Sequence, residues 1–172
     1  MNDLIMLATL LSGPKHGYQL KREAGFVFGD EALHNNLVYP MLRRFTADGW
    51  VTKKQTPGER GQTRQQYSMT PLGKKILLDR LTEFGEADAR SFDAFVLRAG
   101  MFELLDQPAR ERILSAREAY LQQRIAKLTA LPQKMDTGVY GTEAIELIKE
   151  KAEVELSWIR RIRRITKSEV EK

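Results

Sequence analysis

The sequence predicts a mainly α protein in two parts. Three helices and a two-stranded hairpin, the layout of a winged helix-turn-helix, come first, and an α-helical C-terminal dimerisation domain follows. Two observations carry this. Apolar residues recur at helical spacing on both sides of residues 50–69, and only there does β-branched and aromatic content indicate strands. Turn-forming Gly, Pro and Asn residues fall where the period changes. The predicted boundary separates a winged-helix domain, 1–88, from a helical domain, 89–172.

Residues 2–12 form an apolar helix, with Leu4, Leu7 and Leu11 among residues that cover more than one face. Ser12-Gly13-Pro14 ends it, and a second helix runs from about His16 to Phe26. The third helix lies in residues 33–50. Asn35 or Asn36 serves as N-cap, and with Asn36 in that role Pro40 falls in the first turn, where its missing N–H breaks no internal bond. Leu37, Met41, Leu42 and Phe45 then share a buried face, and Gly49 is a natural C′ residue.

Trp50 to Gln55 reads as a strand, Thr56 to Thr63 as a turn-rich tip, and Arg64 to Met69 as the returning strand. Thr70-Pro71 starts a helix, Thr as N-cap and Pro at its first position. In the second half, Ser91 to Leu105 reads as one helix with Phe92, Phe95, Val96, Ala99 and Phe102 at helical spacing. Another runs from Asp106-Gln107-Pro108 to about Leu131, where Leu114, Leu121 and Leu128 recur every seven residues. A loop spans Leu131 to Gly141. The last helix starts at Thr142, with a stripe of Ile145, Ile148, Ala152, Ile159 and Ile162, and Leu156 beside it. Two such stripes suit antiparallel helices that pack on each other and on a partner subunit.

Residues 43–75 hold eight basic residues against Asp48 and Glu59, a net +6 where the whole 172-residue chain carries +5. That concentration is the electrostatic footprint of a polyanion binder. In a major groove, Asn pairs with adenine edges and Arg with guanine edges or phosphate, so a helix with amides at its start and arginines further along suits DNA. The chain has no cysteine, which excludes disulfides and thiolate metal sites, and His16 and His34 are its only histidines. No metal site or other cofactor is expected. No nucleophile–histidine–acid set or phosphate loop is present, so an enzyme is not expected. No run approaches the ~18 apolar residues of a membrane span, and the acidic Asp3 at the start is unlike a signal peptide, which points to a cytoplasmic protein.

Several segments together resemble the PadR family of transcriptional regulators: Gly13-Pro14-Lys15-His16-Gly17-Tyr18, Tyr39-Pro40-Met41-Leu42-Arg43-Arg44 and Asp48-Gly49-Trp50-Val51, then Arg64 with Tyr67 and Thr70 with Gly73. The resemblance covers nearly the whole chain. It implies a repressor that binds double-stranded DNA at a pseudo-palindromic operator, with the third helix in the major groove and the hairpin as a wing over phosphate or minor groove. It implies phosphate contacts at Tyr18 and Tyr39. Arg43 lies one turn after Tyr39 and is expected to face DNA in preference to Arg44. Asn35 and Asn36 are both capping and base-contacting candidates. They sit where the chain departs from the family's small-residue pattern, so they are where its own operator preference is expected. Lys53, Lys54, Arg60, Gln62 and Arg64 flank or form the wing.

Similarity to the family also implies a homodimer, built through Leu4, Leu7 and Leu11 of the first helix and Leu121, Leu128, Ile145, Ile148, Leu156, Ile159 and Ile162 of the last two. Trp158 has two readings, dimer core or one wall of a site for a small aromatic effector. The arginines of residues 160–164 are read as a solvated helix face, with a second phosphate contact as the minor alternative. A winged-helix module that binds protein and not DNA is the alternative function, and the charge concentration in residues 43–75 argues against it.

Overall fold

The computed structural model describes residues 1–28, 35–57, 63–131 and 138–170. The chain forms two compact units, Met1–Glu83 and Phe84–Lys172.

In the first unit α1 (Asn2–Thr9) continues into a 3-10 turn at Leu10–Ser12. A short strand β1 (Lys15–His16) leads into α2 (Gly17–Phe28), α3 (Asn35–Ala47), β2 (Val51–Pro57), β3 (Thr63–Met69) and α4 (Pro71–Thr82). Leu4, Ile5, Met6 and Leu7 of α1 are all buried, as an apolar helix between α2 and α4 requires. Leu20 and Ala24 of α2, and Leu77 and Leu81 of α4, complete this core. Each large apolar side chain buried here contributes about 1.5–3 kcal/mol.

The hairpin is antiparallel with Val51 opposite Met69 and Pro57 opposite Thr63. Strand β1 adds to its other edge, Lys15 opposite Tyr67 and His16 opposite Gln66, so the order is β1-β3-β2. Two residues between a proline and a helix carry no strand periodicity, which is why the sequence did not announce β1. Thr70 caps α4 as its pattern predicts: its Oγ accepts from the Gly73 N–H at 3.0 Å, and Pro71 occupies the first turn. The same hydroxyl donates back to the strand entry, 2.7 Å from the Gly49 carbonyl and 3.0 Å from that of Trp50.

The second unit contains α5 (Glu86–Arg90), α6 (Phe92–Ala99), a 3-10 turn (Phe102–Leu104), α7 (Gln107–Thr129) and α8 (Gly138–Val170). The long helices α7 and α8 pack on each other, and α5 and α6 pack against α7. The predicted helix 91–105 is two pieces. It stops at Gly100, whose N–H still donates to Val96 at 2.9 Å, while that of Met101 falls back to Arg98. Its inward face also differs from the expectation: Phe95 and Phe102 are buried with Ala94, Leu97 and Arg98, whereas Phe92 and Val96 are exposed. Arg98 occupies a core position because it donates to the Ala94 carbonyl at 3.0 Å, lies 3.3 Å from Asp88 and stacks over Phe84 at 5.0 Å. The predicted loop 131–141 is shorter at its far end, since α8 already begins at Gly138. Residues 132–137 of that loop lie outside the described residues.

Two ion-pair sets fasten α7 to α8. Arg117 reaches across to Glu155 at 2.6 and 3.0 Å and donates to the Ala89 carbonyl at 2.7 Å, which also ties in α5. Arg163 bonds Glu111, Glu118 and Ser115 of α7. The carboxylate of Glu111, outweighing burial, holds the Arg163 guanidinium above its ordinary pKa. Arg117 and Glu155 are nearly excluded from water, so removing one partner leaves the other charge uncompensated. Glu155→Leu should lower the unfolding free energy by about 3–5 kcal/mol. Arg117→Met added to it should recover most of that loss, as measured by urea unfolding. A single-substitution loss below about 1 kcal/mol would mean the pair is solvated, as surface pairs are.

Candidate nucleic-acid interface

Helix α3 is set by its core face and its end. Val38, Met41, Leu42 and Phe45 are buried, and Leu37, expected inside, is exposed. The difference follows from where the helix begins. It is already helical at Asn35, so Pro40 lies inside it and not in a first turn that starts after Asn36. Pro40 has no N–H to donate to the carbonyl four residues back, so it costs the helix one internal bond near its start. The end is a Schellman motif: the Trp50 N–H donates to the Phe45 carbonyl at 2.8 Å and the Gly49 N–H to that of Thr46 at 3.2 Å. Gly49 takes φ 74°, the left-handed conformation this motif needs.

With that phase, Asn36, Tyr39, Pro40, Arg43 and Ala47 share the open face, all exposed. Arg44 lies to one side and is engaged elsewhere. It bonds Asp3 of α1 at 2.5 Å and its guanidinium stacks over Phe45 at 5.2 Å. The other oxygen of Asp3 takes Arg80 of α4 at 2.7 Å, and Arg80 stacks over Trp50 at 5.1 Å. One carboxylate therefore ties α1, α3 and α4 together.

Tyr39 is placed by a glycine. Its ring lies against Gly17 so closely that a Cβ at Gly17 would stand 2.9 Å from Tyr39 Cε1. Gly17 is where β1 becomes α2, so this contact joins the sheet, α2 and α3. The next residue, Tyr18, is exposed in the first turn of α2, with the Arg22 guanidinium over its ring at 5.4 Å and Arg22 donating to its hydroxyl at 3.2 Å. Tyr67 of β3 is close enough to Tyr39 for the two hydroxyls to interact electrostatically. Burial raises the Tyr67 hydroxyl above its ordinary pKa, with Tyr39 adding to the rise and the positive Arg43 opposing it. Tyr39, Arg43 and Tyr67 thus form one electrostatic neighbourhood between α3 and β3.

The wing's basic residues divide between its two faces. Lys53 stands opposite Tyr67 and shares its face, while Lys54 and Arg64, opposite Gln66 and Thr56, lie on the other. All three are exposed. Arg60 and Gln62 of the tip lie outside the described residues, as do His34 and the side chain of Asn35. Lys15 is not available to a ligand, since it is buried against Glu23 at 2.8 Å. His16 is part of the sheet: its Nδ1 lies 2.9 Å from the Gln65 carbonyl, which can only accept, so that nitrogen carries the proton. Asp3, Gly17 and the Lys15–Glu23 pair were not singled out from the sequence. The signal for Gly17 was the His16-Gly17-Tyr18 turn itself. For Asp3 there was none, since its partners lie 41 and 77 residues away.

The proposed dimer residues are split by burial. Leu4, Leu7, Leu121, Leu156 and Ile159 are buried within the single chain, Leu128, Ile145, Ile148 and Ile162 are half-buried, and Leu11 is exposed. Trp158 is half-buried and meets Phe95 edge-on, 5.8 Å between centroids at 86°. A cleft of about 770 Å³ in the second unit runs between α5 and α7, lined by Ala89, Arg90, Tyr120, Arg124 and Leu128 among others, and Trp158 is not part of it.

A helix-turn-helix core, a hairpin wing and an exposed Asn–Tyr–Arg face on the third helix define a winged-helix DNA-binding domain. Residues 6–79 match the model of the transcriptional regulator PadR-like family, which is a family of regulators and not of enzymes. Three solved structures illustrate the likeness. Bacillus subtilis PadR in complex with operator DNA is 20% identical, covering 93% of this chain and 95% of that one, with a TM-score of 0.48. TA0346 of Thermoplasma acidophilum is 26% identical over 59% of this chain and 86% of that one, with a TM-score of 0.44. Smu.1604c of Streptococcus mutans UA159 is 18% identical over 93% and 96%, with a TM-score of 0.40. No curated protein sequence matches the chain. Among the described residues, no helix is long and apolar enough to cross a membrane.

The Gly17–Tyr39 contact yields a prediction. Gly17→Ala should leave the domain folded by circular dichroism, displace Tyr39, and weaken DNA binding about tenfold, or ~1.4 kcal/mol. In a Tyr39→Ala background the same change should add little, because the coupled partner is gone. Equal effects in both backgrounds would mean Gly17 acts without Tyr39.

Proposed function

We propose that the protein is a homodimeric transcriptional repressor whose two α3 helices enter successive major grooves of a pseudo-palindromic operator, about 34–36 Å apart. The observation that carries this reading is the outer face of α3. Asn36, Tyr39 and Arg43 are exposed side by side, while the neighbouring cation Arg44 is held by Asp3. A face used only for solubility would not need its central tyrosine seated on a glycine backbone. Tyr18 at the start of α2 and Tyr39 supply hydroxyls to phosphate, Arg43 reaches a base edge or phosphate, and Asn35 and Asn36 meet bases in the first turn of the helix. Lys53, Lys54, Arg60, Gln62 and Arg64 follow the backbone beside the groove, and the dimer acts in the cytoplasm.

A small aromatic effector is accommodated better by the cleft between α5 and α7 than at Trp158, whose ring already packs on Phe95. The cleft offers Tyr120, whose ring lies 5.4 Å from the Arg117 guanidinium and whose hydroxyl accepts from Arg124 at 2.7 Å.

Binding of the DNA upstream of the protein's own gene, measured against salt and sequence, tests this. Arg43→Ala should lose about 1–3 kcal/mol and relax preference at one base position. Lys54→Ala should weaken binding evenly across sequences and reduce the salt slope by about 1. Unchanged affinity and unchanged base preference in Arg43→Ala would remove Arg43 from the interface.

A further inference from the structure

Helices α3 and α4 of the first unit each send an arginine to the same acid, Asp3. It lies in the first turn of α1, where a carboxylate is stabilised by the helix macrodipole. That role needs no partner, yet both oxygens are taken by side chains from other helices. One accepts from Arg44 of α3 at 2.5 Å and the other from Arg80 of α4 at 2.7 Å. Arg80 also stacks over Trp50 at 5.1 Å, and the Arg44 guanidinium lies over Phe45 at 5.2 Å. The side chain of Asp3 is 21% exposed and that of Arg44 is 51% exposed, so the carboxylate is the anchored partner and Arg44 is the one a solute can reach. An exposed ion pair is weak alone. One carboxylate shared by two stacked guanidinium groups is the network case, in which surface charges hold their geometry.

What Arg44 would do if released follows from its place on α3. It is the residue after Arg43, and so lies about 100° round the helix from it. That sets it on the flank of the open face, one turn after Pro40. A helix with its side chains is about 10–12 Å across and a major groove about 12 Å wide, so a helix in the groove turns its flanks to the sugar–phosphate walls. A cation on the flank meets phosphate there, a contact that carries no sequence information.

We propose that Asp3 is a positioning residue for DNA binding: it draws the Arg44 guanidinium toward α1, withholds one phosphate contact from the flank of α3, and so holds down sequence-independent affinity. This rests on the reading of α3 as the helix that enters the groove. It adds a residue outside that helix that sets how much of the helix's charge the DNA meets.

A double-mutant cycle on the full chain tests this, with binding to a random-sequence duplex measured at about 50 and 200 mM salt. The variants are Asp3→Asn, Arg44→Gln and the two combined. Each phosphate contact accounts for about a threefold loss of affinity between those salt concentrations. Asp3→Asn is expected to steepen the loss by about threefold, and Arg44→Gln in that background to return it to the wild-type value. In the wild-type background Arg44→Gln should change it little, and Asp3→Glu, which keeps the carboxylate, should behave as wild type. If Asp3→Asn loses its helical circular dichroism, Asp3→Ser replaces it in the cycle. Equal effects of Arg44→Gln in both backgrounds would mean that Arg44 acts without Asp3 and would overturn the proposal. A salt dependence unchanged in the charge-removing variant would also overturn it, leaving Asp3 a structural tie between α1, α3 and α4. Either result leaves the DNA-binding reading intact. No binding by any of these proteins would overturn both.

Discussion

The first unit depends on one close approach, the ring of Tyr39 against the backbone of Gly17. Gly17 stands at the junction of β1 and α2, and β1 pairs with the wing strand β3. Tyr39 stands at the middle of the open face of α3. Through that contact the wing, the first helix of the helix-turn-helix and the second are fixed to each other. Tyr67, buried in β3, is near enough to Tyr39 and Arg43 for both to act on its hydroxyl. A surface that must match a groove needs side chains held by packing, and here the residue that holds Tyr39 has no side chain at all.

Much of this architecture was legible because it is written in short-range signals. The Thr70-Pro71 start of α4 and the Gly49 end of α3 are local chemistry, and both occur as read. The hairpin was visible from its change of period. The details that were not legible have two physical sources. One is helix phase: a start at Asn35 turns Val38 inward and Leu37 outward, and a residue count from an assumed cap cannot fix that. The other is charge used inside the fold. Hydropathy places every arginine outside, yet Arg98 and Arg117 are among the buried residues because carbonyls and carboxylates from distant positions complete their bonds. The candidate DNA face was legible in residue type, since Tyr39 and Arg43 were identified from the sequence and emerge together. The restraint of Arg44 by Asp3 was not, because nothing local connects residues 41 apart.

The same arginines show why net charge is a weak guide by itself. Arg44, Arg80, Arg98, Arg117 and Arg163 all have carboxylate partners within one chain. They set the geometry of the two units and add little to the field that a polyanion meets. Arg43, Lys53, Lys54 and Arg64 are exposed in the winged-helix unit, and Arg160, Arg161 and Arg164 lie on the outside of α8. On the function proposed above, the first set is directed to DNA. Basic residues of one composition thus divide between internal ion pairs and exposed faces according to what each element packs against.

The central claim is that α3 and the wing read duplex DNA as a two-headed unit. A hydroxyl-radical footprint of the full chain on the DNA upstream of its gene, at physiological ionic strength, measures this directly. Two α3 helices in successive major grooves predict two protected regions about one helical turn apart, related by approximate two-fold symmetry and each flanked by a shorter protection under the wing. Uniform protection that shifts with protein concentration, or none at all at concentrations where the chain is dimeric, would contradict the claim.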